Sequence, residues 1–382
     1  MRFGIVTRYL GHNDGQGRVN FEVAQEARSQ GHEVFVFSEE IDAHSSGIDG
    51  IRSILCAPPR WMATRLLRDQ LFAVRSAALL RDKVNRCDVL LANGFVTWAR
   101  CDVNAVHFVH NAWLRSPYHP WRLRRTPRSA YALVYSSVNA LLEKGAFRRS
   151  ERVVAVSEKV RHDLIEIGIA SERIATIGNG VDTIEFTPGS SERALFGLPL
   201  DKTVALFAGD LMTPRKNLET VLRAMQHVPD LYLAVAGRVE GSVYPALACS
   251  LDVADRVRFL GFRSDMPTLM RSVDLFVLPS HYEPFGLVLL EALASGLPVV
   301  TARSVGGSNM IGPAVGVTLE DSDNEMALAA VLRDLARSLE RRRSMGAEAR
   351  ALAERYSWPA MARQYVDLLV EMAEVRRHGT DV

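Results

Sequence analysis

The residues best suited to chemistry form one string, Ser280-His281-Tyr282-Glu283-Pro284-Phe285-Gly286-Leu287, which runs on through Glu291-Ala292 to Ser295-Gly296-Leu297-Pro298. An apolar run ending at Pro279 reads as a strand, Pro284 and Gly286 as a turn, and the stretch from about Gly286 as a helix. A helix start offers free N–H groups and the positive end of the helix dipole, which together favour a phosphate. Gly286 lets the backbone approach such a group closely. Glu283 would stand just outside the helix and Glu291 about two turns inside it, so the two carboxylates can grip different parts of a long ligand. Carboxylates are the natural acceptors for sugar hydroxyls. Either glutamate alone reads as an ordinary surface residue, but the string as a whole reads as a site.

Two cations, Arg215 and Lys216, come just before an apolar helical pattern that opens at Leu218. Cations are unfavourable at a helix N-terminus unless an anion is present, which points to a phosphate there. His110 closes the run Val106-His107-Phe108-Val109-His110, read as a strand over Ala105–His110. Alternation then sends His107 and His110 to opposite sides, a poor geometry for a metal. On the pattern alone a structural histidine is the plainer reading. Asp321-Ser322-Asp323 precedes a helix expected over Glu325–Leu339 and reads as its N-cap rather than as a metal ligand set.

The elements that must position these residues are short β-rich runs alternating with helical patterns, the signature of parallel α/β units. The expected strands are Arg2–Thr7, Glu33–Phe37, Val89–Ala92, Ala105–His110 and Val153–Val156, then Val204–Ala208, Leu231–Ala236, Val257–Leu260, Leu275–Leu278 and Pro298–Thr301. A helix follows the first strand from about Val19 to Gln30, and another closes the chain from about Pro359 to Arg377, with Met361, Tyr365, Leu368, Leu369 and Met372 on one face. At 382 residues the chain suits two domains,. The turn formers from Gly178-Asn179-Gly180 to Pro188-Gly189 mark the linker, giving domains 1–183 and 184–358. Two doubly wound domains facing a central cleft would bind ligands at the carboxyl ends of their strands, where the site residues fall.

With 48% hydrophobic and 24% charged residues the chain is an ordinary globular protein, and a net charge of +2 gives no reason to expect nucleic acid as a partner,. Four scattered cysteines fit neither a disulfide framework nor zinc, and no apolar stretch approaches the ~20 residues that span a bilayer. The expected location is the cytoplasm, with contact to the inner face of a membrane as a further option.

Glu283 and Glu291, set in EPFG…EA…SGLPVV, resemble the E-x7-E signature of the retaining glycosyltransferases of family 4, which have the GT-B fold. The resemblance covers nearly the whole chain. It includes Gly15-Gln16-Gly17 as an N-terminal loop, Gly31-His32-Glu33-Val34, Val154-Ala155-Val156-Ser157-Glu158, Gly178-Asn179-Gly180-Val181-Asp182, Phe207-Ala208-Gly209 leading to Arg215-Lys216-Asn217, Ala236-Gly237, Gly261-Phe262 and Val305-Gly306-Gly307. Within the family the sequence is similar to the lipopolysaccharide-core glucosyltransferases. The resemblance implies that Glu291 binds the donor ribose and Glu283 the donor sugar, with the Gly286 and Leu287 N–H groups on phosphate or sugar and Phe285 beside them. Arg215 and Lys216 would neutralise the diphosphate. His110 would contact the sugar near the reacting carbon, and Gly15, Gly17, Gly209 and Gly237 would line the donor site. The base would be read by backbone near Phe262 and Arg263. The C-terminal helix, 359–382, would return to the first domain. A nucleotide-diphosphate sugar is then a co-substrate, a glycan or glycolipid the acceptor, and no metal or cofactor is expected. The family often places an arginine directly after the strand glycine, where this chain has Asp210.

Basic residues are concentrated in the first half: residues 1–183 hold 25 Lys and Arg against 19 Asp and Glu. Arg60, Arg65, Arg68, Arg75 and Arg81 interrupt a Trp/Leu/Phe pattern; Arg115, Arg122, Arg124, Arg125 and Arg128 fall in one stretch with no acidic residue between them, and Trp121-Arg122-Leu123-Arg124-Arg125 reads as a loop. A solvated basic face is the first reading, and an interfacial helix on anionic lipid is the second. The rival functions are a nucleotide-sugar epimerase on the same fold and a non-catalytic glycan- or membrane-binding relative. A nicotinamide enzyme is excluded, because Gly11, Gly15 and Gly17 lack the G-x-G-x-x-G spacing.

Overall fold

Apolar runs without strict alternation suit parallel strands covered on both faces. The computed structural model describes residues 1–12, 15–42, 50–59, 61–62 and 64–378. It divides into two compact units, Met1–Gly180 together with the chain from Trp358 on, and Val181–Ser357.

The strands of the first unit are β1 (Arg2–Val6), β2 (Tyr9–Leu10), β3 (Glu33–Ser38), β4 (Glu40–Ile41), β5 (Ile51–Leu55), β6 (Val89–Asn93), β7 (Val103–Val106), β8 (Arg152–Ala155) and β9 (Ile174–Thr176). Seven of them form a parallel sheet in the order β5-β3-β1-β6-β7-β8-β9, and β2 pairs with β4 alone. Val6, Phe35, Phe37, Phe72 and Ala92 pack into one buried cluster of this unit. The second unit contains β10 (Thr203–Ala208), β11 (Leu231–Ala236), β12 (Val257–Gly261), β13 (Leu275–Leu278), β14 (Val299–Ala302) and β15 (Gly316–Leu319), in the parallel order β12-β11-β10-β13-β14-β15. Both are doubly wound α/β sheets. Strand order reverses between β1 and β6 in one and between β10 and β13 in the other, and a crevice for ligands opens at such a switch point, outside the carboxyl ends of the strands.

The unit boundary falls at Gly180/Val181, three residues before the division expected from the turn formers, and the return at Ser357/Trp358. A side chain on Gly180 would come within 2.6 Å of the Trp358 Cα, so the first unit closes there. One residue further on, the Val181 N–H donates to the Tyr356 carbonyl at 2.8 Å within the second unit. The closing helix, Trp358–His378, buries Met361, Tyr365, Leu369 and Met372 and packs against the helix Gly15–Ser29, with Leu368 half-buried.

Several local expectations are corrected. The first helix begins at Gly15, so Gly15 and Gly17 lie in its opening turn and not in a loop. Gly17 is required there by packing, since a Cβ would come within 2.3 Å of the Tyr9 ring. Strand β7 ends at Val106, and His110 opens the short helix His110–Arg115. The helix after β15 is Glu325–Arg337, capped by Asn324, whose side chain accepts from the Ala327 N–H; Asp321 and Asp323 are not its cap. Trp121 to Leu123 belong to a helical turn, Pro120–Leu123, and not to a loop. Strands β5, β9 and β15 and the β2–β4 pair had no expectation. Arg60 and residues 379–382 of the expected closing helix lie outside the described residues.

Candidate functional site

The second unit's switch point gathers the glutamate string and the two cations. After β10, Gly209 sits in close contact with the Lys216 stem, and Gly237, after β11, lies so near the Gly209 carbonyl that a Cβ there would approach it to 2.2 Å. Gly237 is thus demanded by backbone packing, whereas a Cβ on Gly209 would press only on the Lys216 side chain, at 3.1 Å,. Asp210 turns back onto its own loop, accepting from the Met212 N–H at 2.9 Å and the Thr213 hydroxyl at 2.7 Å. It therefore organises the turn that leads to the cations. Arg215 and Lys216 lie in the helical turn Pro214–Lys216, and Asn217, at φ +60°, caps the next helix, Leu218–Met225.

From the far side of the switch point, β13 leads into Ser280–Gly286. Gly286 takes φ +92° as N-cap of the helix Leu287–Ala294, a conformation that favours glycine,. Glu283 receives Arg215 Nη1 at 3.0 Å and the Lys216 ammonium on the same oxygen. Burial works against the charged carboxylate, but Lys216 and Arg215 outweigh it and hold Glu283 below the usual range. Glu291 lies inside the helix, as the spacing requires. Burial, and then the charge of Glu185, push it up to about 7 against the pull of Lys216. Phe285 is buried and Leu287 half-buried at the helix start.

A clamp that the sequence did not reveal fixes the two loops together. The His281 ring meets the Pro214 carbonyl through Nδ1 at 2.9 Å and Asp323 through Nε2 at 2.7 Å, and the His281 N–H donates to the Arg215 carbonyl at 2.9 Å. Asn217 Nδ2 adds bonds to the carbonyls of Pro279 and Ser322 at 3.1 and 2.7 Å. The signal available in the sequence was Asn324, a competent cap that leaves Asp323 spare. At the carboxyl end of β12, Phe262 is 83% exposed, whereas Arg263 is paired with Asp265 through Nε at 2.8 Å.

In the first unit, His110 and His107 line one cavity of about 120 Å3 beside Arg8, Asn93, Asn139 and Glu143. The opposite-sides expectation fails because the strand has already ended. Burial, then the charge of Arg8, lowers His110 to about 4, and burial alone lowers His107 to about 4, so both rings are neutral at pH 7. Phe108 and Tyr135 meet the His110 ring edge-on at 4.9 and 5.7 Å. Glu143 supplies the cap that Val109 lacks: its carboxyl accepts the Asn111 N–H at 3.2 Å and the His110 N–H as well. Burial pushes it up to about 8 against those two N–H groups. Gly15 and Gly17 are helical and Gly17 is filled by Tyr9. Among the described residues no group of three or more His, Cys, Asp or Glu side chains converges as metal ligands would.

Comparison with known proteins bears on the fold and the family. The sequence profile described as Glycosyltransferase Family 4 matches residues 13–185, and that described as Glycosyl transferases group 1 matches residues 190–352. A D-inositol 3-phosphate glycosyltransferase of Corynebacterium kroppenstedtii is 29% identical over 317 residues, 73% of this chain and 70% of that protein. Its namesake in Mycolicibacterium smegmatis is 30% identical over 275 residues, 67% of this chain and 62% of that protein. Among solved structures, WaaG, a glycosyltransferase involved in lipopolysaccharide biosynthesis, superposes with a TM-score of 0.77 at 21% identity, covering 96% of this chain and 99% of that one. Anabaena Alr3699/HepE in complex with UDP-glucose does so with a TM-score of 0.71 at 21% identity, covering 97% and 100%. The chain belongs to family 4 of the glycosyltransferases, enzymes of the GT-B fold.

Proposed function

We propose that the enzyme is a retaining hexosyltransferase that moves a sugar from a nucleotide diphosphate to a hydroxyl of a glycan or glycolipid. The observation that carries this reading is the convergence of Arg215 and Lys216 on Glu283 beside the Gly286 helix start. Two fixed cations and a helix N-terminus suit a diphosphate, and a carboxylate next to them suits the attached sugar's hydroxyls. In the reaction the bond from the anomeric carbon to the β-phosphate oxygen breaks, and the acceptor oxygen bonds to the same face of that carbon. The acceptor's proton passes to the departing phosphate. Arg215 and Lys216 meet the charge that develops on this leaving group, so no metal is required of the site. Glu291 takes the ribose hydroxyls. His110, kept neutral by burial, offers the reacting sugar a hydrogen bond without adding charge. No carboxylate is assigned beneath the anomeric carbon, and the single front-face step reflects that.

UDP-glucose in Alr3699/HepE supports uridine as the donor base, and the relatives named for D-inositol 3-phosphate favour a second reading of the acceptor, a phosphorylated polyol in place of a glycan or glycolipid. The exposed Phe262 and the backbone around Arg263 lie at the strand end where a base would be read. The test is thermal stabilisation by UDP-, GDP-, ADP- and TDP-sugars, with Glu291→Ala beside the native chain. A ligand at ~100 times its Kd adds about 2.7 kcal/mol, which one nucleotide class should do and the variant should abolish. Stabilisation by none of them would overturn the reading. Consumption of the nucleotide sugar without transfer to any acceptor would favour the epimerase.

A further inference from the structure

The helix Pro127–Arg149 is built inside out. Its buried residues include Ser129, Ser136, Asn139 and Glu143. Its solvent side carries Tyr131 (40% exposed), Val134 (53%) and Leu141 (74%), with Val138 half-buried between them. These four stand at i, i+3, i+7 and i+10, a single stripe along about 15 Å of helix. An ordinary surface helix has the reverse arrangement. The inward polarity has a local cause: Asn139 and Glu143 line the His110 cavity, and Ser136 meets His119 Nε2 at 3.3 Å. On the outward stripe the Tyr131 hydroxyl accepts the Leu66 N–H at 3.2 Å, but no such bond accounts for Val134, Val138 or Leu141.

The charge around the stripe has one sign. Arg122, Arg124, Arg125 and Arg128 are exposed at its N-terminal end, beside the half-exposed Leu123, and Arg148 and Arg149 are exposed at the other. The Arg125 guanidinium lies over the Trp121 ring at 5.7 Å. Between Asp102 and Glu151 the one acidic residue is Glu143, which is buried. The earlier segment behaves differently: Arg65 pairs with Asp69 at 3.1 Å and Arg68 pairs with Glu39, so their charge is already answered.

We propose that the outer face of Pro127–Arg149, with the Trp121–Arg128 segment, docks on an anionic lipid bilayer. An apolar stripe bracketed by arginines and aromatic rings matches an interface with acyl chains beneath and anionic headgroups above. No helix among the described residues is long and apolar enough to cross a membrane, so the contact is peripheral. A second copy of the chain is a poor occupant, because a two-fold contact would set these arginines against each other. The proposal adds a partner to the transferase and does not depend on the donor assignment.

The test is flotation of the full chain with vesicles of phosphatidylcholine alone or mixed with phosphatidylglycerol. Binding is expected on the mixed vesicles only and should fall with added salt. R124E should weaken it at least about fivefold, from ~1 kcal/mol per arginine at the surface. L141Q should weaken it about tenfold, from the apolar area withheld from the acyl region. Both sites are exposed, so unchanged melting temperatures and unchanged nucleotide binding in the variants separate loss of docking from misfolding and from failure of the transferase reading. No flotation on mixed vesicles, or equal binding to pure phosphatidylcholine, would overturn the proposal. So would a dimer in sedimentation equilibrium that L141Q dissolves, which would give the face to a second copy.

Discussion

Glu283→Gln keeps the side chain's shape and removes the charge that Arg215 and Lys216 share. Their side chains are only 24% and 11% exposed, so the substitution leaves two largely enclosed cations facing a neutral acceptor. Deleting one partner of a fully buried pair costs ~3–5 kcal/mol, and with water at the edge of this site about 1–3 kcal/mol is expected from the ligand-free protein. A nucleoside diphosphate then supplies the missing negative charge. It also no longer faces a carboxylate, a repulsion of ~3 kcal/mol at ~6 Å and an effective dielectric of ~20, reduced to about 1 kcal/mol by solvent and salt. UDP should therefore bind E283Q about fivefold more tightly. A sugar nucleotide gains the same amount but exchanges charge-assisted hydroxyl bonds for neutral ones, losing about 1–2 kcal/mol. The preference for UDP-sugar over UDP should drop about tenfold, and transfer should collapse. Titration calorimetry with both ligands on both proteins reads these quantities directly. Unchanged or weaker UDP binding by E283Q would refute the competition for the cations, and an unchanged ratio would refute contact with the sugar.

Glu291, held at about 7, takes up a proton between its usual value near 4.5 and about 7 in the folded protein but not in the unfolded chain. Its contribution to stability is therefore present in acid and lost as pH rises through that window, and melting curves of Glu291→Gln against the native chain should converge in acid and separate, with the variant more stable, at pH 8. Donor affinity should run the other way, weakening below about pH 7 as the ribose acceptor is protonated, with the slope absent in the variant. Glu143 caps the His110 helix through an acceptor that glutamine also possesses, so Glu143→Gln should cost under about 1 kcal/mol, whereas Glu143→Leu strands two buried N–H groups at about 1–3 kcal/mol each in denaturant unfolding.

What the sequence disclosed was what local chemistry determines. Gly286, Pro284 and the apolar run before them encode a strand, a turn and a helix start within a dozen residues, so the positions of Glu283 and Glu291 were legible. The bond from Arg215 to Glu283 spans 68 residues and depends on β10 and β13 becoming neighbours, which no local pattern states. His107 to His110 read as strand because the residues suit one, but β7 pairs with β8 only through Val106, opposite Ala155, and without a ladder the chain turns into a helix. Gly15 and Gly17 looked like a loop because glycine usually breaks helices; the Tyr9 ring demands it at Gly17. The clamp of His281 on Asp323 was hidden because each residue already had a sufficient local account. The Pro127–Arg149 helix escaped notice for a different reason: its polar residues are spent inward, so its periodicity carries no conventional amphipathic signal.

The return of the chain at Trp358 has a consequence for biosynthesis. The helix Gly15–Ser29 leaves the ribosome well before the helix that packs against it, Trp358–His378. Residues 181–357 must be made in between, roughly 10–35 s at ribosomal speed. The second unit is contiguous and can complete its own sheet during that interval. The first waits, with apolar surface open, until Trp358–His378 is released. A nascent chain stalled or truncated before Trp358 therefore presents a finished second unit joined to an unfinished first one, and quality control in the cell would meet the defect before Gly180 although the missing residues follow Ser357.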